Sequence, residues 1–131
     1  MFVHLHNHSH FSILEWLPKP KHYVQKAVEL GMSAVAITDT SNIHGCHELY
    51  KEAKWAWIKP ILWTEIFVTS SLEPSINHKL VLLAKSLQGY RNIISLVSKA
   101  NLDNHGISTG VRDNNFFQQI LVLIKKLGMI A

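Results

Sequence analysis

The stretch Ala34-Val35-Ala36-Ile37-Thr38 sets the tightest limit on the fold. It is apolar without interruption up to Thr38 and then stops at Asp39. A run of this kind reads as a strand buried on both faces, and such strands belong to parallel sheets covered by helices. The flanking segments supply the helices. From Lys21, apolar side chains fall at Tyr23, Val24, Ala27, Val28 and Leu30, a helical spacing that Gly31 ends. A second helix is predicted from about Ile43 to Trp57, with Cys46, Leu49, Tyr50, Ala53 and Trp57 sharing one face. Further strands are predicted at Phe2 to His8, Pro60 to Val68 and Leu80 to Ala84. Ser70 to Asn77, with Pro74, reads as a loop. A helix starts at Gly89 and carries Tyr90, Ile93, Ile94, Val97 and Ala100. Asn101 to Asn114 reads as a polar loop, and Asn115 caps a last helix bearing Phe116, Phe117, Ile120, Leu121, Ile124 and Leu127. The order β-α-β-α-β-β-α-loop-α implies an α/β fold with a mainly parallel sheet and outer helices.

Chemistry in such folds collects at the C-terminal ends of strands. Asp39, Glu65 and the pair His6 and His8 all fall at predicted strand ends. His4, His6 and His8 alternate, so on a strand they share one face. Two imidazoles spaced in this way can chelate one divalent ion, and imidazole suits zinc, manganese or iron. The alternative is a polar face on an edge strand. Glu65 is either a carboxylate that bridges metal ions or an exposed charge at a strand end. Asp39 has the same two readings, or caps the loop before the next helix. Glu15, seven residues past His8, lies on a loop within reach of the site. His78 precedes a strand and is otherwise a loop histidine. Cys46 reads as core, His44 and His47 as the first turn of a helix, His22 as solvated and His105 as a loop residue. Trp57 and Trp63 lie on core-like faces. Trp16, on a loop beside the histidines, is placed to stack on a base.

Composition narrows the classes further. The 131 residues are 47% hydrophobic, enough for the core of one domain. The formal net charge of +4 is spread out, with no block of like charges, so charge alone argues little for nucleic acid. The single cysteine excludes an internal disulfide and suits a reducing, cytoplasmic setting. The N-terminus lacks the pattern of a signal peptide. No apolar run reaches the ~18 residues that span a bilayer.

Several segments in register resemble one family. These are Phe2 to Ser9 with Phe11-Ser12-Ile13-Leu14, then Glu29-Leu30-Gly31-Met32, then Ala34 to Asp39 with Asn42 and Gly45. Ile58-Lys59-Pro60-Ile61, Leu80 to Lys85, Gly89-Tyr90-Arg91-Asn92 and Val111-Arg112-Asp113 continue the series. Together they resemble the start of the PHP domain of the bacterial DNA polymerase III alpha subunit. The likeness runs clearly over residues 1–113 and weakly over 114–131.

The resemblance implies a distorted TIM-like barrel with a metal cluster at its mouth. It is incomplete here, because the family's later strands lie beyond the last residue. It implies that His6 and His8 ligate one metal and that Glu65 bridges two and carries the catalysis. Glu15 stands where polymerase members have Asp, and His78 is displaced by one position from the family's ligand. Two positions depart. Thr40 follows Asp39 where active members have a ligand His, and Lys79 precedes Leu80 where the pattern has His. The expected cofactor is zinc or manganese at a partial site. The expected role is that of an N-terminal fragment of a replicative polymerase, meeting DNA and other replicase subunits through its parent. The fragment itself would be inactive in polymerisation and keep at most partial phosphoesterase or 3′–5′ exonuclease chemistry. The exposed part of its barrel core would favour a partner or aggregation. The alternatives are a free-standing phosphoesterase acting on a phosphate monoester such as histidinol phosphate, and a non-catalytic structural module.

Overall fold

A computed structural model describes residues 2–69, 77–103, 110–112 and 129–130. The chain divides into two compact units, Met1–Thr64 and Glu65–Ala131.

In the first unit, an irregular lead (2–9) and a turn are followed by helix α1 (Pro20–Glu29), strand β1 (Ala34–Thr40), helix α2 (His44–Trp55) and the opening half of strand β2 (Lys59–Thr69). β1 is the predicted doubly covered strand. Ala34 to Asp39 are all buried, and Ala36 and Ile37 have no exposed surface. α1 and α2 both pack on it and on each other. Val24, Ala27, Val35, Ile37, Leu49, Ala53 and Ile58 form the core, and Tyr23, Met32, Ala56 and Leu62 close its margin. Each fully buried large side chain here contributes about 1.5–3 kcal/mol before conformational entropy is counted.

Both helices stop in the same way. After α1, Met32 N–H donates to the Ala27 carbonyl at 2.8 Å and Gly31 N–H to Val28 at 3.0 Å. After α2, Ile58 N–H donates to Ala53 at 2.9 Å and Trp57 N–H to Lys54 at 3.3 Å. Each is a Schellman closure, which puts the residue after the cap in the left-handed region. Gly31 (φ 64°) meets that demand without a Cβ, whereas Trp57 (φ 58°) does not. The closure also turns Trp57 outward, where it is 95% exposed. The expected apolar face of α2 is therefore corrected: Cys46, Leu49 and Ala53 are buried, but Tyr50 and Trp57 are not. Likewise Val28 and Leu30 at the end of α1 face solvent, while Trp63 is buried as expected.

The predicted first strand is also corrected. Phe2 to His8 forms no ladder. Its backbone is held to β1 at Asn7, whose carbonyl accepts Thr38 N–H at 2.7 Å and whose side-chain amide donates to the Ala36 carbonyl at 3.1 Å. A strand needs repeated backbone pairing, which alternation of residue types does not supply.

In the second unit, the rest of β2 is followed by β3 (Asn77–Ala84), helix α3 (Leu87–Asp103) and the short strands β4 (Gly110–Arg112) and β5 (Met129–Ile130). β2 lies beside β3 and pairs with β4 in parallel, Phe67 opposite Gly110 and Thr69 opposite Arg112. β3 pairs with β5 antiparallel, Leu83 opposite Ile130. α3 covers β3, with Leu82, Ile93, Val97 and Ala100 buried. The expected polar loop from Asn101 is corrected at both ends, since α3 continues to Asp103 and Gly110–Arg112 is a strand. Of the loop predicted from Ser70 to Asn77, Asn77 instead opens β3, and the rest, like the helix predicted from Asn115 and the loop residue His105, lies outside the described residues. The fold is α/β with parallel pairing in its sheet.

Candidate metal centre

The histidine segment of the first unit is held in place by Asp39. Its carboxylate is 1% exposed and accepts three bonds: Ser9 N–H at 2.6 Å and Ser9 Oγ–H at 2.8 Å on its two oxygens, and Ser12 Oγ–H at 2.9 Å. Hydrogen-bonded three times in this way, a carboxylate can sit in a core that would otherwise exclude it. Ser9 and Ser12, both buried, are the residues the sequence reading passed over. The signal available was two serines three positions apart just after the histidines, together with an Asp at the end of a buried apolar run. From the other side, Tyr23 donates its hydroxyl to the His8 carbonyl at 2.6 Å. Burial raises the Tyr23 phenol above its ordinary range, and the nearby Asp39 charge adds to this.

The hydrogen bonds assign the tautomer of His8. Its Nδ1 lies 3.2 Å from Ser12 Oγ and 3.3 Å from Thr40 Oγ1. Both hydroxyl protons are committed elsewhere, Ser12 to Asp39 and Thr40 to Glu15 Oε2 at 2.8 Å. Each hydroxyl can therefore only accept from His8, so Nδ1 carries the proton and Nε2 keeps its lone pair. That Nε2 lies 3.1 Å from His6 Nε2, with ring centroids 5.0 Å apart. Two imidazole nitrogens on one tetrahedral zinc at the usual bond length stand about 3.3 Å apart. The pair therefore fits a shared cation.

The remaining candidates fall around this pair or apart from it. Glu15 lies 3.9 Å from His8 Nδ1, linked through Thr40. Trp16 stacks on the His8 ring at 6.3 Å and stays half exposed. His4 is exposed and packs edge-on against Phe2. Cys46 is core: its Sγ faces the Trp63 carbonyl at 3.6 Å, and burial pushes its thiol up to about 12. His22, His44 and His47 are exposed.

In the second unit, Glu65 is 2% exposed on β2. Lys79 on the neighbouring β3 brings its ammonium to 2.8 Å from Glu65 Oε1, and 5.5 Å from the centre of the Phe67 ring. His78 is adjacent to Lys79 on β3 and so faces the opposite side of the strand.

The family profile of the PHP domain matches residues 4–128. This chain is a member of the PHP domain family. Several of its curated relatives are alpha subunits of DNA polymerase III, matched in their N-terminal region. It is 43% identical to that of Buchnera aphidicola (Schizaphis graminum) over 100 residues, 76% of this chain and 8% of the relative. It is 35% identical to that of Escherichia coli K12 over 119 residues, 91% of this chain and 10% of the relative. This PHP domain thus spans about a tenth of the curated relatives it matches. Among solved structures it resembles a Bifidobacterium adolescentis protein named for metal-dependent phosphoesterase activity, with TM-score 0.59 and 21% identity over 76% of this chain and 33% of the other. It also resembles an amidohydrolase from Chromobacterium violaceum, with TM-score 0.53 and 19% identity over 81% of this chain and 40% of the other. At these identities the structural likeness speaks for the fold. Among the described residues, no helix is long and apolar enough to cross a membrane.

Proposed function

We propose that this PHP domain serves a DNA polymerase III alpha subunit at its N-terminal side, in DNA replication, and that His6 and His8 bind a divalent cation there. The polymerase relatives support the first part. The observation that carries the second is the facing Nε2 pair, with His8 locked by Ser12 and Thr40 in the tautomer that offers Nε2. By the family likeness Glu65 is a further carboxylate of the donor pattern, and zinc or manganese suits imidazole and carboxylate ligands. Glu15, through Thr40, steadies His8 from the solvent side. His78, a ligand by the family likeness, lies on the face of β3 opposite Lys79 and is left out of the proposed donor set.

When bound, such a cation polarises a phosphoryl oxygen and acidifies a water molecule, the chemistry of a phosphoesterase. The chain's own residues orient the site. Asp39 fixes the loop that carries His8, Tyr23 fixes the His8 backbone, and Trp16 offers a half-exposed ring beside it for a base or sugar. DNA and the other replicase subunits are the proposed partners, met through the larger protein.

The test is metal content and nuclease activity of the purified chain in manganese or zinc, for wild type, Glu65→Gln and a His6→Ala/His8→Ala double variant. Bound metal in the wild type that the double variant loses supports the reading. Equal metal content in the two overturns the histidine site. Release of phosphate from a monoester, with no action on DNA, would favour a free-standing phosphoesterase instead.

A further inference from the structure

We propose that the Lys79 ammonium occupies a cation position at Glu65, so that this PHP domain binds fewer metal ions than its family's donor pattern would hold. Glu65 is almost wholly buried, and a positive charge beside it offsets the cost of burying its carboxylate. Lys79 supplies that charge at 2.8 Å. Its stem is half exposed, so the ammonium reaches inward from the surface rather than being trapped in the core. Phe67 lies two positions along β2 from Glu65, on the same face, and its ring meets the same ammonium at 5.5 Å. A carboxylate and an aromatic face together make a seat for a monovalent organic cation. An aromatic face is no ligand for a hard divalent ion. A metal ion bridging through Glu65 would have to share Oε1 with a fixed ammonium and be repelled by it.

The proposal deepens the metal-binding reading of the same site, but its decisive measurement does not depend on the histidines. Mn²⁺ binding to the full chain is measured by equilibrium dialysis and elemental analysis, for wild type, Lys79→Met, Lys79→Gln, Lys79→Arg and Lys79→Met/Glu65→Gln. Removing the ammonium should add one equivalent of Mn²⁺, or tighten binding about ten-fold, the equivalent of one neighbouring charge. Lys79→Arg should behave as wild type, and the double variant should lose the gain. The Mn²⁺-induced rise in melting temperature should be larger for Lys79→Met than for wild type. If the neutral variants fold only when Mn²⁺ is added, that also supports the proposal.

Neutral variants that fold and show no gain would overturn it, as would neutral variants that stay unfolded in saturating Mn²⁺. A wild type already holding a Glu65-dependent ion would overturn it too. A wild type without metal whose Lys79→Met variant gains one ion would uphold Lys79 as the occupant while defeating the histidine site.

Discussion

Tyr23 and His8 are joined by a 2.6 Å hydrogen bond from the phenol to the backbone carbonyl, which couples helix α1 to the histidine segment. Tyr23→Phe keeps the ring and deletes the donor. It should cost about 1 kcal/mol in urea unfolding. It should also weaken Mn²⁺ binding about ten-fold, because supporting bonds of this kind orient ligands. A stability loss with unchanged metal affinity would show that Tyr23 serves the fold alone.

Gly45 stands where α2 passes Asp39. A Cβ there would collide with Asp39 Oδ2 and sit 3.0 Å from Ser9 Oγ, both of them fixed by the same hydrogen-bond cluster. Alanine normally favours a helix over glycine by ~1 kcal/mol. Here Gly45→Ala should instead destabilise by about 1–3 kcal/mol, the usual cost of overpacking. Chemical denaturation of the variant checks the sign.

Trp57 is a bulky residue in the left-handed region, with almost no burial to lose. Trp57→Gly should raise stability by about 1 kcal/mol, and Trp57→Asn by less, because glycine carries no Cβ penalty at this position. Thermal melts of the two variants should rank glycine above asparagine above tryptophan.

Cys46 should resist thiol reagents in the native state at pH 8 and react on unfolding, since burial pushes its thiol from the ordinary 9.0 up to about 12. The sign of the linked stability follows. Between those values the unfolded chain has released the proton and the native chain has kept it, so stability falls as pH rises from about 9 toward about 12. The Tyr23 phenol, also raised, adds a loss in the same direction above its ordinary value of 10.0. Cys46→Ala should flatten part of this alkaline decline in a pH series of urea melts.

Alternation of His6 and His8, the apolar run of β1, and the helical spacing of Val24, Ala27, Leu49 and Ala53 were all legible in the residues, because each depends on local periodicity. The C-terminal end of α1 was legible too, since Gly31 acts on its own backbone. Trp57 misled for the same reason. Its spacing matched the buried face of α2, but the Schellman closure turned it to solvent. The strand expected at Phe2 to His8 failed because pairing is a property of two segments, and β1 meets this one mainly at Asn7.

The sequence by itself determined the family, through motifs in register along the chain, and the order of most elements and the histidine pair, which follow from residue types at short spacing. Tertiary structure alone decided how those residues are used. It made Asp39 the anchor of the histidine loop across 27–30 residues of chain, gave His8 its tautomer through Ser12 and Thr40, and set the Lys79 ammonium on Glu65. Burial and long-range hydrogen bonding fix the charge and proton positions of a site. Neither can be read from residues that meet only once the chain has folded.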